Sequence, residues 1–310
     1  MILNTGSRTD IPAFFSAWLR NRLKAGFVYA RSPYAPGRIY SYELDPELVD
    51  LICFCTKNPG PLLPFPPELR RFQTYWHVTI TPYGRDLEPF VPPWQQVAKS
   101  FRTLSGEVGP DAVSWRYDPI LLTPKYDLDF HLRTFREMAE ALRGSTRTVV
   151  ISFLDLYQKT VRNFPAAREV SNADQRTLCT AFAEIAAAND MEVHTCLENP
   201  SLSSCGVLTS GCMTQDLLER ALGEALNVPP HGQARKGCNC LLGSDIGAYN
   251  TCGHGCVYCY ANYDRRAVED NLRRHDPELP LLIGQVGPQD EIIPVNQVSW
   301  RTGQLGWFSL

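Results

Sequence analysis

Residues 147–197 read RTVVISFLDLYQKTVRNFPAAREVSNADQRTLCTAFAEIAAANDMEVHTCL. The run 147–153 is rich in Val, Ile and Phe and predicts a strand, and 192–197 predicts another. Between them, 171–188 predicts a helix whose start carries Ser171 and Asp174, an approximate capping box. Strand, helix, strand in this order predicts two parallel strands joined by a crossover.

The same alternation extends towards the N-terminus. Strands are predicted at 1–6, 27–31, 51–56, 74–81 and 112–116, each bounded by polar, Pro or Gly residues. Helices are predicted at 10–25, with Asp10 as N-cap and Gly26 as stop, at 93–105, and at 127–143 before Gly144. Repeated units of this kind predict an α/β fold, a parallel and partial β/α barrel of TIM type, over residues 1–200. The pattern changes after residue 200. One more helix is expected at 213–226, but 229–262 is rich in Gly, Cys and Asn and cannot bury much apolar surface. Residues 201–310 are therefore expected to form a cysteine-rich, cluster-binding extension packed on the barrel, with the Pro/Gly-rich tail from 277 closing over the body.

Composition narrows the function classes. The chain has 310 residues, 44% hydrophobic and 20% charged, which is ordinary globular usage. Its net charge of −3 provides no global basic field, so nucleic-acid binding is not indicated and would need a local basic groove. No run reaches the ~18 apolar residues that span a bilayer, and the N-terminal residues lack the features of a signal peptide, so the expectation is a cytoplasmic protein without membrane partners.

Of 11 cysteines, eight lie between Cys196 and Cys259. An odd, clustered set points to metal or redox chemistry and not to a disulfide framework. The sharpest motif is Cys252-Gly-His-Gly-Cys256-Val-Tyr-Cys259, a C-x3-C-x2-C spacing whose two glycines let the backbone wrap one metal centre. Three thiolates on a four-iron cluster leave one iron without a protein ligand. Alternatively, Cys252, Cys256 and Cys259 with His254 or an upstream Cys complete a structural zinc site. A second set, Cys196, Cys212, Cys238 and Cys240, suits either a further, fully ligated cluster or a zinc, with Cys205 as a spare ligand. Cys53, Cys55 and Cys179 read as small core residues.

The C-x3-C-x2-C motif with Tyr258 before its last Cys resembles the cluster motif of radical S-adenosylmethionine enzymes. The wider chain is similar to the domain-of-unknown-function family 1848. The similarity rests on Ser7–Pro12, Thr56–Pro59, Thr79–Tyr83, Trp115–Pro119, Ile151–Asp155 and Asp245–Cys252. The first resemblance implies a [4Fe–4S] cluster, S-adenosyl-L-methionine on its open iron, a 5′-deoxyadenosyl radical and a flavodoxin- or ferredoxin-like electron donor. It implies no particular substrate. Tyr258–Ala261 is also similar to spore photoproduct lyase, which keeps nucleic acid open as a substrate class. In typical radical S-adenosylmethionine enzymes the motif follows the first strand. Here it lies late, so the C-terminal loop is expected to swing back over the early strands.

In parallel barrels chemistry gathers at the C-terminal strand ends. There the sequence places Asn58, Arg116, Asp118 and Glu198 as candidate cofactor-binding residues, beside Arg8, Asp10, Lys57, Tyr83, Glu88, Ser152 and Asp155. Glu198 is the candidate for the methionyl ammonium, because a carboxylate accepts its N–H bonds. No general base is assigned, since radical hydrogen abstraction needs none. Asp10 reads as a plain N-cap, and Arg116 with Asp118 as a local ion pair. His77, His131, His194, His231, His254 and His275 form no metal-ligand spacing of their own. The alternative to an enzyme is a non-catalytic zinc or iron–sulfur protein with a structural or redox-sensing role.

Overall fold

A computed structural model of the chain describes residues 1–156, 158–230 and 237–305. Of the residues singled out above, His231 lies outside them. The centre is a seven-stranded, all-parallel sheet. In chain order its strands are β1 (Ile2–Asn4), β4 (Leu51–Thr56), β5 (Thr74–Thr79), β6 (Val113–Ile120), β7 (Thr148–Phe153), β8 (Glu192–Thr195) and β10 (Ser244–Asp245). Strands β1, β4, β5, β6, β7 and β8 lie side by side in the order in which the chain makes them, and β10 adds to the outer edge of β1. Among the described residues β10 and β8 are the two edges of this sheet.

Sequential order has a physical consequence. Right-handed crossovers that always step the same way put their helices on one face. Helices α3 (Trp94–Val108), α4 (Leu128–Leu142) and α6 (Asn172–Ala187) cover that face. Alternate strand residues, such as Phe54, Trp76, Trp115 and Val149, join Phe101, Phe135 and Phe182 in the main core. Phe135 stacks on Phe182 at 3.9 Å and on Trp115 at 4.7 Å between centroids.

The opposite face is covered by the late chain. Leu51, Cys53, Tyr75 and Val150 form a second core with Cys212, Met213, Leu218, Cys238, Cys240 and Leu241. Here α7 (Gln215–Leu222) and the irregular segment 237–243 sit against the sheet.

Several expectations are corrected. Residues 27–31 do form a strand, β2 (Phe27–Arg31), but it pairs antiparallel with β3 (Arg38–Glu43) in a separate three-stranded sheet. The linker between them, with Pro33 and Pro36, is too short for a parallel crossover. The tail returns as β11 (Glu291–Pro294), parallel to β3. Residues 10–25 form two helices, α1 (Ile11–Phe14) and α2 (Ser16–Ala25), because Phe15 leaves helical geometry at φ −130° to bury its ring. The helix expected at 213–226 ends at Gly223, whose φ of 68° caps it. Glu224–Leu226 then form β9, antiparallel to β12 (Arg301–Leu305). Helices α5 (Gln158–Asn163) and α8 (Arg265–Arg274) had no sequence expectation. No helix among the described residues is long and apolar enough to cross a membrane.

Candidate metal centre

Strand β10 is two residues long, and it ties the segment before the cysteine loop to the edge of the central sheet. Leu3 and Asn4 pair with Ser244 and Asp245, and Ile246 N donates to Asn4 O at 3.0 Å. Arg8, just past β1, holds Asp245 through its Nε at 2.8 Å. Gly243 allows this approach, because a Cβ there would fall 2.2 Å from Ile2 O. Asn250, at φ 54°, turns the chain, and its Oδ1 accepts from Tyr263 N (2.9 Å) and Asp264 N (3.3 Å).

The Cys252–Cys259 loop then lies on the segments that follow β1 and β5. Thr251 Oγ1 donates to Thr9 Oγ1 at 2.6 Å, and Tyr260 OH donates to Ser7 O at 2.7 Å. Val257 N donates to Leu87 O (3.0 Å), and Phe90 N donates to His254 O (3.2 Å). His254 Nε2 pairs with Asp10 Oδ2 at 2.8 Å while its ring packs edge-on against Phe14. Asp10 caps α1 through Ala13 N, as the sequence suggests, and also accepts from Lys57 N at 2.8 Å. Both loop glycines sit close to aromatic rings: a Cβ on Gly253 would fall 2.7 Å from Phe14, and Gly255 has φ 69° beside Phe90.

Beneath the loop is a buried charged group. Lys57 Nζ lies 2.7 Å from Glu88 Oε1, which also accepts from Thr81 Oγ1 (2.7 Å) and from Tyr258 OH. Burial opposes Glu88 ionisation, but Lys57, Tyr258 and Thr81 outweigh it and hold its pKa below the ordinary value. The three loop cysteines are half-buried. Burial, with Glu88 and Cys259 adding to it against Lys57, pushes the Cys256 thiol up to about 12, and burial also raises Cys252. As free thiols Cys252 and Cys256 stay protonated at neutral pH, and a thiophilic cation would supply the missing charge compensation. Cys259 Sγ accepts from Asn262 N at 3.4 Å, and Asn262 Nδ2 donates to Cys252 O at 2.6 Å. His254 Nδ1 and Asn262 Oδ1 are buried without a hydrogen-bond partner.

The candidate cofactor residues stand at the ends of the same sheet, each with a local partner. Arg116 and Asp118 form the ion pair expected of them, and Asp118 also accepts from Ser152 Oγ. Glu198 Oε1 accepts from Phe153 N at 2.8 Å. Asn58 Oδ1 accepts from Gly60 N at 3.1 Å. Arg116 faces inward towards Cys55, Cys196 and Cys212.

The second cysteine set comes together. Cys212 Sγ is 3.5 Å from Cys196 Sγ and 3.6 Å from Cys240 Sγ, and the Cys238 side chain bonds to that of Cys240. Cys205 does not join them; it packs with Cys179 in the helix-side core. Cys53 is a core residue, but Cys55 lies half-buried at the inner strand end, near Arg116 and Asp10. Among the described residues no three His, Cys, Asp or Glu side chains are already set around one ion position. His77 and His131 are buried core residues, held by Ser114 and by Tyr117 with Leu121 O; His194 pairs with Glu192. Two surface clefts, of about 420 Å³ beside Arg176 and Glu184 and about 520 Å³ beside Asn227 and Trp300, contain none of the loop cysteines. The residue that sequence reasoning missed is Asn262, a polar loop residue whose only signal is its nearness to the cysteines; Asn250 and Thr251 entered only as part of the Asp245–Cys252 stretch, with no role of their own.

A family model described as Domain of unknown function (DUF1848) matches residues 2–261. No curated protein matches the chain. Among solved structures, the carboxyl transferase domain of Rhizobium etli pyruvate carboxylase is similar at a TM-score of 0.27 and 12% identity, over 67% of this chain and 38% of that one. The chain thus spans well under half the length of that structure.

Proposed function

The chain belongs to the DUF1848 family, and from the geometry of its cysteine loop we propose that it is a radical S-adenosylmethionine enzyme built on a partial β/α barrel of TIM type. The observation that supports this reading is the attachment of the Cys252–Cys259 loop to the segments that follow β1 and β5, the side of a parallel sheet where barrel chemistry gathers. The residues fit a [4Fe–4S] cluster: three soft donors, two glycines that let the backbone wrap closely, an N–H on Cys259 Sγ, and Lys57 near Cys256 to offset thiolate charge. When bound, such a cluster would leave one iron for S-adenosylmethionine and supply the 5′-deoxyadenosyl radical that abstracts hydrogen from a substrate.

The protein's own residues then orient and exclude water. Asp10 and Glu88 tie the loop down through His254 and Tyr258. Arg116, Asp118, Asn58 and Glu198 offer charge and hydrogen bonds to a polar cofactor at the strand ends, although each also serves the fold. One-electron reduction would come from a flavodoxin- or ferredoxin-like donor.

A second reading has its own support. A metal-bound His usually donates its other ring N–H to a carboxylate, as His254 Nε2 does to Asp10, and Nδ1 is left buried and unpaired. Cys252, Cys256, Cys259 and His254 would then close a structural or redox-sensing site. The test is anaerobic reconstitution of the full chain. The enzyme reading expects about four irons and four sulfides at this loop, an electron-paramagnetic signal of the reduced cluster that changes on adding S-adenosylmethionine, and 5′-deoxyadenosine formation lost in Cys256→Ala. Zinc at the loop, removed by His254→Ala, would overturn it in favour of the second reading.

A further inference from the structure

We propose that Cys196, Cys212, Cys238 and Cys240 bind a single tetrahedral metal ion of the zinc class, separate from the Cys252–Cys259 loop. The four thiols arrive from three distant places: the end of β8, the turn before α7 and the irregular segment leading to β10. Cys212 Sγ is the hub, 3.5 Å from Cys196 Sγ and 3.6 Å from Cys240 Sγ, with Cys238 bonded to Cys240. Metal–sulfur bonds of about 2.3 Å in a tetrahedron give sulfur–sulfur edges of about 3.8 Å. The observed spacings are near that edge. A four-iron cluster would spread the thiolates farther, because each binds a different iron.

The surroundings suit a metal thiolate. Cys240 Sγ accepts two backbone N–H groups, from Cys212 and Met213, both at 3.3 Å. A Cβ on Gly211, whose φ is 126°, would fall 3.1 Å from Cys240 Sγ, so the backbone passes where only glycine fits. Four thiolates on a divalent ion leave two negative charges. The Arg116 guanidinium faces Cys196 and Cys212, and its Nε is buried without a partner. His77, 1% exposed, lies against the Cys212 backbone.

The site also explains an otherwise weak part of the fold. Residues 237–243 cover the inner face of the sheet with no helix or strand of their own. A metal bond network would supply the order that little apolar burial can. As thiols, the four do not yet surround one ion position. On binding, the S–H protons still carried by the sulfurs leave to solvent and the sulfurs turn onto the metal, with no change of oxidation state.

The test uses the full chain and a Cys252→Ala/Cys256→Ala/Cys259→Ala variant, which removes the loop thiols and keeps the four-thiol group intact. Both should retain about one zinc per chain after dialysis. Replacing it with cobalt(II) should give the intense d–d and sulfur-to-cobalt bands of a tetrahedral tetrathiolate. Cys212→Ser in the triple variant should abolish both, and Cys238→His should keep cobalt with weaker charge-transfer bands. If Cys212→Ser does not fold, the cobalt spectrum of the triple variant decides alone. Absence of that spectrum, iron with sulfide at these four cysteines, or rapid alkylation of all four in excess zinc would overturn the proposal.

Discussion

Replacing Glu88 tests how the cysteine loop is attached to the sheet. Glu88 is 2% exposed and its partner Lys57 has a side chain 14% exposed, so the pair at 2.7 Å is shielded from water. Glu88→Ala would leave the Lys57 ammonium, the Thr81 hydroxyl and the Tyr258 hydroxyl without their acceptor. Removing one partner of a buried pair costs about 3–5 kcal/mol, because the remaining charge is uncompensated. Urea unfolding should therefore show a loss of ~3–5 kcal/mol for Glu88→Ala. Lys57→Met combined with Glu88→Leu should recover much of it, giving a non-additive double-mutant cycle. Tyr258 sits between Cys256 and Cys259, so the single variant should also speed alkylation of those two thiols in native protein. The pH profile carries a sign. A carboxylate with a lowered folded pKa stabilises fully above its unfolded value of about 4.3 and loses that contribution as pH falls through the folded value. The gap between wild type and Glu88→Gln should accordingly narrow below pH ~4. A loss under ~1 kcal/mol, the range of solvated surface pairs, would refute the reasoning.

Three further outcomes follow from the same contacts. Gly243→Ala should push β10 from β1, because the new Cβ meets a backbone oxygen that cannot turn away; a loss of at least ~1–3 kcal/mol in thermal unfolding and faster amide exchange at Ile246 would show it. Asp10→Ala removes a helix cap worth about 1 kcal/mol and leaves the Lys57 N–H and His254 unpaired at about 1–3 kcal/mol each, so a total of about 3–7 kcal/mol is expected in chemical denaturation. Glu192, held by His194 and, against partial burial, by Arg220, has its pKa lowered to about 2. Its side chain is 37% exposed, so solvent screening should keep the effect of Glu192→Gln under ~1 kcal/mol, present above pH ~4.3 and fading as pH falls towards 2.

The strands and helices of the central sheet were legible because each depends on neighbours in sequence. Phe54 and Trp76 alternate with Cys53 and Tyr75, and Ser171 caps its own helix. The element at 213–226 misled because its apolar spacing runs past Gly223, where the left-handed cap ends the helix. Strand β3 was hidden by the proline-rich turn before it, and β10 is too short to carry a period. The candidate site divides in the same way. The C-x3-C-x2-C spacing is a local pattern and stands out in the chain. The Lys57–Glu88–Tyr258 group is not a pattern at all until the fold assembles it.

From residue order alone came the parallel β/α alternation, the cysteine-rich late segment and the tight triplet of thiols. Only the folded chain could decide where that triplet lands, since His254 meets Asp10 across 244 positions and Tyr258 meets Glu88 across 170. It alone drew Cys196, Cys212, Cys238 and Cys240 together and left Cys205 among the helices. The reason is one of range. Periodicity and capping act within a few residues, whereas a site made from separate strand ends depends on sheet order and register, which are set by the burial of whole faces.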